Sequence, residues 1–409
     1  MLRETPVPYR VWGTDIEKGA LDQIRHAAEL PVATRGALMP DAHQGYGLPI
    51  GGVLATKEAV IPYAVGVDIA CRMKMTVFDA SPHVIGQKRD KFRRIIEDCT
   101  VFGAGGEWDN PHDHPVLEDP AWRELPIARE NRIKAWKQLG TSGGGNHFVE
   151  FGMLVVKETI VGEETPEGEG SRAFGTIPPG MYLALLSHSG SRGFGATAAE
   201  YFSKLAMELH PELPKSHKHL AWLEMKGLGA EYWEAMMLAG RYASANHAII
   251  HHLIAEKLGF EILGGVENHH NFAWKEIIDG EEVIVHRKGA TPAGLGVYGV
   301  IPGSMIAPGF VVRGRGSEES LFSAAHGAGR RLSRNAALKS FNWDHVEAKL
   351  KSAGVELLSA GLDEAPGAYK DIREVMAAQA DLVEVLAEFT PRMVKMADDG
   401  KGKRKRRRK

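Results

Sequence analysis

Side chains suited to binding metal or attacking phosphorus lie in five short segments that no single local element can bring together. They are 65–73 (VGVDIACRM), 143–150 (GGGNHFVE), 188–192 (HSGSR), 267–271 (ENHHN) and 323–330 (SAAHGAGR). Each segment follows a short apolar run or lies among glycines, so each reads as a strand end or a tight turn. If these segments form one composite metal and nucleotide site, the chain from residue 41 to residue 326 has to fold as one integrated body.

The remaining sequence is compatible with such a body. A chain of 409 residues with 44% hydrophobic composition can bury a large core. Residues 60–78, 181–187, 282–286 and 297–301 have the apolar density of buried strands. Helical spacing appears at 15–30, 86–98, 196–209, 229–258, 331–340 and 370–389. Intermixed strands and helices predict an α/β (mixed α+β) fold in one large domain. Two polar stretches, 104–122 and 161–179, read as surface loops or hairpin tips. There is no repeat of fixed period and no linker long enough to divide the chain.

No stretch of 18 apolar residues occurs, so no membrane span is expected, and the N-terminal MLRETPVPYRVWG lacks the apolar stretch of a secretory signal. Two cysteines, Cys71 and Cys99, fit a reducing compartment rather than a disulfide framework. The expectation is a cytoplasmic protein. Eight of the last nine residues (KGKRKRRRK) are Lys or Arg, and setting them aside leaves 42 basic against 52 acidic residues. The division expected is therefore 1–399 as the folded body and 400–409 as a disordered basic tail. Such a tail either tethers a polyanion such as RNA or is merely solvated.

Asp68 and Cys71 stand three apart, so ideal strand geometry sends them to opposite faces; they share a site only if the backbone turns between them. Taken alone, the pair is more ordinarily a buried cysteine beside a capping aspartate. His147, His188 and His270 each occupy a strand end or glycine-rich turn where one imidazole nitrogen can be approached, although His269 competes with His270. Taken singly, such histidines are usually structural. Counted jointly, the O, S and N donors exceed one tetrahedral ion and fit two ions sharing the sulfur; zinc, manganese, cobalt and nickel all remain open.

Three look-alikes are set aside. His247 and His251 have the helical spacing of a zinc-protease motif, but Ala248 fills its glutamate position, so they are assigned to an amphipathic helix. Residues 140–145 have phosphate-loop glycines with Asn146 in place of the lysine. His112 and His114 lie in a polar loop. His326 is different: Ala324, Ala325, Gly327, Ala328 and Gly329 leave room for a phosphorus centre, with Arg330 and Arg334 following. Cations beside it favour a neutral, nucleophilic imidazole. A tight glycine turn with an incidental histidine is the plainer account.

The segments 39–52, 64–73, 139–150, 187–193, 269–276, 286–293, 300–305, 324–334 and 363–372, in this order, resemble the RtcB family of RNA-splicing ligases over nearly the whole chain. The resemblance implies one large catalytic domain of mixed sheets flanked by helices, with the active site in a central cleft. It further implies a GTP- and manganese-dependent ligase that joins RNA 3′-phosphate or 2′,3′-cyclic phosphate ends to 5′-hydroxyl ends. Such activity would serve tRNA splicing or RNA repair. One manganese ion would take Asp68, Cys71 and His147, and the second Cys71, His188 and His270. His326 would carry the guanylate. The nucleotide would meet Asn146, Phe148, Glu150, Asn271, Ser304, Ala328, Gly329 and Tyr369, with Lys395 as the guanine-contacting lysine and Glu150 selecting guanine. Arg192 would meet RNA phosphate, and an archease-type activator is an implied partner.

The chain departs from the family pattern at Ile306, Gly309 and Ala325, and it continues past Lys395 into the basic tail. These departures suggest a divergent paralogue devoted to RNA repair. Two other classes of function are carried alongside: a binuclear metal phosphoesterase acting on RNA, which leaves His326 idle, and an RNA-binding scaffold relying on the tail.

Overall fold

In the computed structural model, which describes residues 2–162 and 171–398, the apolar segments pair into two large sheets that meet at the candidate site, alongside two two-stranded ones, Ala59–Val60 with Leu223–Glu224 and Ala290–Pro292 with Ser323–Ala325. The larger has ten strands. In spatial order nine of them are Tyr298–Ile301, Gly309–Gly314, Val383–Met396, Phe148–Val156, Gly180–Ser189, Arg72–Phe78, Ile262–His269, Arg172–Ile177 and Ile160–Val161. The tenth, Glu356–Ser359, pairs in parallel with Val383–Met396. The smaller sheet runs Tyr9–Val11, Ala33–His43, Ile50–Thr56, Glu281–Lys288, Asn271–Ile278. Strands and helices alternate through one body, as the α/β expectation required.

Period-two alternation gives the large sheet two faces with different duties. Phe151, Leu183 and Leu185 point to one face and pack against Ile250, Ile254 and Leu258 of the 31-residue helix Leu228–Leu258. That helix is apolar around much of its girth, with Tyr232, Ala235, Met236, Ala239 and Ala243 buried against Phe194, Phe202 and Trp122. It ends at Gly259, whose left-handed conformation (φ 72°) closes the last turn. On the opposite face, cross-strand rows place Met73, His188, Phe148 and Met396 side by side, and Glu150 beside Val394. The chain crosses between the sheets at a single residue: His269 pairs with Arg72 in the large sheet, Asn271 with Lys288 in the small one, and His270 lies between them.

Several expectations need correction. Residues 60–78 are not continuous strand: Ala59–Val60 gives way to a helical turn, Pro62–Val65, then a loop, and only Arg72–Phe78 is a full strand. Residues 370–389 are not one helix. A six-residue helix, Ile372–Ala377, capped by the Asp371 side chain, leads into the strand Val383–Met396. The apolar spacing across 375–389 is shared between the end of that helix and the start of the strand, so helical periodicity does not separate the two. Within 161–179, part is strand (Arg172–Ile177), paired antiparallel with Ile262–His269, and 163–170 lies outside the described residues. The helices Pro126–Gln138 and Trp343–Ala353 and the strands Ala33–His43, Ile50–Thr56 and Phe148–Val156 had no counterpart in the sequence reading. The proposed tail, 400–409, lies outside the described residues. Among the described residues no helix is long and apolar enough to cross a membrane.

Candidate active site

The backbone does turn between Asp68 and Cys71. Ala70 adopts φ 56°, the Cys71 amide donates to the Asp68 carbonyl at 3.2 Å, and the Ala70 amide donates to the Asn271 carbonyl at 2.7 Å. The turn brings the thiol and carboxylate together just before the strand Arg72–Phe78. His147 Nε2 then lies 2.8 Å from Asp68 Oδ2 and 3.4 Å from Cys71 Sγ. His188 Nε2 is 3.0 Å from the same sulfur and 3.2 Å from His270 Nε2. Asp68, Cys71, His147, His188 and His270 are thus contiguous, with Cys71 central.

Orientation of the rings is set from behind. His147 Nδ1 bonds the Ser142 carbonyl and His188 Nδ1 the Asn146 carbonyl, each at 3.1 Å, so both Nε2 atoms face inward. Metal-binding histidines are ordinarily fixed in this way. Burial, with neighbouring His147, pushes the His188 imidazole well down, and burial, with His326, does the same to His270. Both are neutral, as metal ligation requires. Burial, then Asp68, pushes the Cys71 thiol well up. Burial also opposes ionisation of Asp68, but the His147 and Arg192 charges outweigh it and hold that carboxyl low.

The donor set fits a divalent metal. Bonds of about 2.0–2.3 Å in tetrahedral geometry separate ligand atoms by roughly 3.4–3.7 Å, close to the S···N and N···N spacings observed. Oxygen, sulfur and imidazole donors together accept borderline-soft ions.

His326 stands against this cluster, its ring 4.9 Å from that of His270. It follows the short strand Ser323–Ala325, paired with Ala290–Pro292. Its Nδ1 bonds Asp41 Oδ2 at 2.7 Å, and its amide donates to the same oxygen at 3.2 Å. The Nδ1–Asp41 bond leaves Nε2 as the available nitrogen. The small residues beyond it have a structural cause as well: a Cβ on Gly329 (φ 70°) would lie 2.0 Å from the Asp41 carbonyl oxygen. The turn at 329 is therefore what lets Asp41 reach His326.

A cavity of about 340 Å³ opens beside the cluster, between the two sheets. Asp68, Cys71, His188, His270 and His326 line it, together with Asn146, Phe148, Glu150, Asn271, Ser304, Ala328, Gly329 and Tyr369. Burial pushes the Glu150 carboxyl well up, so a ligand bringing N–H donors would supply the partners that favour its ionised form. The Tyr369 hydroxyl donates to Glu364, and the Arg330 guanidinium lies over the Tyr369 ring at 5.2 Å.

Three expected residues lie off the cavity wall. His147 closes the cluster from the outer side. Arg192, also with positive φ (54°), reaches His147 Nδ1 at 3.3 Å and Thr141 Oγ1 at 3.2 Å, next to the cluster. Lys395 is not brought to the site: it shares a row with Val149, while Val394 and Met396 line the cavity. Its Nζ donates to Thr100 Oγ1 at 2.9 Å on the opposite face. One step along a strand reverses a side chain, so Lys395 faces away from the cavity that its neighbours Val394 and Met396 line.

Asp41, His43, Lys288 and Glu364 were not singled out from sequence. Asp41 and His43 lie in MPDAHQG, where the carboxylate and imidazole beside glycine were a readable signal. The setting of Lys288 depends on burial, which the sequence does not display. The look-alikes are structural: His247 and His251 are buried in the long helix, sharing the Ser187 hydroxyl at 2.9 and 2.8 Å. They belong to the packed face of a core helix rather than to an amphipathic surface. His112 is half-buried against Trp108. His269 packs its ring at a tilt against Phe272 and edge-on to Trp274.

Known proteins resemble this chain over most of its length. A family model described as tRNA-splicing ligase RtcB matches residues 23–121 and 121–396. An RNA-splicing ligase RtcB from Escherichia coli (strain K12) is 34% identical over 96% of this chain and 98% of its own length. Escherichia coli strain ATCC 25922 has an RNA-splicing ligase RtcB1 with the same identity and coverage. A tRNA-splicing ligase RtcB from Thermococcus kodakarensis is 31% identical over 94% of each chain.

Proposed function

The chain belongs to the RtcB family, and on that premise we propose that it is an RNA ligase that seals 3′-phosphate or 2′,3′-cyclic phosphate ends to 5′-hydroxyl ends, using GTP. Residues 1–399 form the catalytic body and 400–409 a basic tail. The observation that carries the reading is His326, fixed through Nδ1 by Asp41 and set against the Cys71–His188–His270 cluster at the wall of a nucleotide-sized cavity.

In this scheme the His326 Nε2 lone pair attacks the α-phosphorus of GTP. The P–O bond to pyrophosphate breaks, and GMP is left on the imidazole. Asp41 holds the ring in place and stabilises positive charge developing on it. An oxygen of the RNA 3′-phosphate then attacks the same phosphorus, the N–P bond breaks, and the RNA end is activated as a mixed anhydride. Finally the 5′-hydroxyl oxygen attacks the RNA phosphorus, loses its proton and displaces GMP. A cyclic phosphate end has first to be hydrolysed to the 3′-phosphate.

Asp68, Cys71 and His147 would hold one manganese ion and Cys71, His188 and His270 a second. Bound there, the ions supply neutralisation of negative charge on phosphate oxygens. Asn146, Phe148, Asn271, Ser304, Ala328, Gly329 and Tyr369 wall the nucleotide. Glu150 accepts N–H donors of guanine, a discrimination adenine cannot satisfy. Arg192, beside His147, meets RNA phosphate. An archease-type protein would act as activator.

Incubation with α-labelled GTP and manganese tests the scheme. The wild type retains acid-labile label on protein, and His326→Ala retains none. Turnover of RNA ends without labelling would identify a metal phosphoesterase instead, and RNA binding with neither would identify a scaffold.

A further inference from the structure

The cavity mouth carries a feature that the nucleotide scheme leaves unused. Residues 44–49 link the strand Ala33–His43 to the strand Ile50–Thr56, and both His43 and Ile50 line the cavity. Tyr46, on this loop, is 68% exposed, the most exposed aromatic side chain among the described residues. Exposure alone means little. Here, however, the loop is fastened. Gln23 Nε2 donates to the Gly45 carbonyl at 2.6 Å, and the Gly45 amide returns a bond to Gln23 Oε1 at 3.0 Å. The Gln44 amide donates to Glu17. Gly47 (φ 69°) sits so close to His219 that a Cβ there would lie 2.5 Å from the His219 carbonyl oxygen. The His219 ring meets the Tyr46 ring edge-on at 5.5 Å and the Tyr63 ring at 4.9 Å. The cavity-lining Lys288 donates from Nζ to the Tyr46 carbonyl, leaving two N–H donors for other acceptors.

An exposed ring on a fastened loop between two cavity-lining residues, its carbonyl held by a cavity-lining lysine, suits one occupant. Single-stranded nucleic acid offers a flat base for the ring and a phosphate for the ammonium. We propose that Tyr46 is the stacking platform for the nucleobase beside the reacting RNA end, and that Lys288 holds the adjoining phosphate. The inference rests on the RNA-ligase reading and adds a substrate contact to it. Pre-organisation of the loop means that little ordering entropy is spent when the base docks.

The test uses the full chain and two single-stranded RNAs. One carries 2-aminopurine beside a 3′-phosphate end and the other beside a 5′-hydroxyl end. Stacking quenches the fluorophore. Wild type should quench at least one of them, while Tyr46→Ala should lose that quench and bind the RNA about tenfold more weakly. Tyr46→Phe and Tyr46→Trp should keep both properties, and an unchanged Tm should show that Tyr46→Ala is folded. Equal quenching and affinity in wild type and Tyr46→Ala overturns the proposal, as does equal loss in the Ala and Phe variants. GTP labelling and end joining by the wild type separate the two levels. If both occur without any Tyr46 effect on RNA, only the platform falls. If neither occurs and the Tyr46-dependent quench persists, the platform stands and the ligase reading falls.

Discussion

Lys288 illustrates what a single residue costs a fold that must also hold a site. Burial in the cavity wall draws its ammonium from 10.5 down to about 7. Between those two values the folded chain binds fewer protons at this position than the unfolded chain does. Stability attributable to Lys288 therefore rises as pH climbs through that window, with the full penalty present below about pH 7. Cys and Tyr groups titrating in the same range act in the opposite sense, so the comparison has to be between variants. Lys288→Met should be more stable than wild type near pH 7, by an amount on the order of a few kcal/mol. The gap should shrink as pH approaches 10, as read by urea unfolding at several pH values. A constant gap would mean that Lys288 is not buried as a cation. The same burial is what an arriving phosphate would relieve.

At the scale of elements, the strands that carry the cluster are held in register from behind by one buried carboxylate. Glu267 lies directly opposite Lys74 on one neighbouring strand and Arg172 on the other. It bonds Lys74 at 2.8 Å, Arg172 at 3.3 Å and also Arg72, itself adjacent to Cys71. Burial alone would raise the Glu267 carboxyl, but Lys74, Arg72 and Arg172 together hold it well below the usual range. Its contribution is therefore present at neutral pH and lost only as acid protonates it. Glu267→Gln should cost about 3–5 kcal/mol, because cations stay buried without their counter-charge. The denaturation midpoint should fall with the m-value unchanged. An undiminished midpoint would show that the three cations find other partners. The strand Val383–Met396 shows the limit of reading elements from sequence: it is flanked on both edges, and its helix-like apolar spacing carried no information about its partners. The sequence pattern worked better where one face differs from the other, as in the helix Lys18–Ala28, which buries Ala20, Ile24, Ala27 and Ala28, or where an apolar run is buried throughout, as over 183–189.

For the molecule as a whole, charge is distributed unevenly between an acidic body and a terminus of eight cations in nine residues. Removing 400–409 should weaken RNA binding at low salt and flatten the dependence of log affinity on log salt, by up to roughly 0.7 for each phosphate that the tail had neutralised. Identical affinity with and without the tail would leave it no role in RNA binding. Donor identity was legible in the chain itself: Asp68, Cys71, His147, His188, His270 and His326 announce themselves by chemistry and by their glycine and strand-end settings. A thiol, an imidazole or a carboxylate has the same bonding capacity wherever the fold puts it. Which of them meet, and which neighbours stay out, was settled only by pairing and register. Two sheets converge at His270, a glycine turn lets Asp41 reach His326, and one step along a strand turns Lys395 to the opposite face. Those outcomes depend on contacts between residues hundreds of positions apart, and such contacts are a property of the packed chain rather than of any local stretch of it.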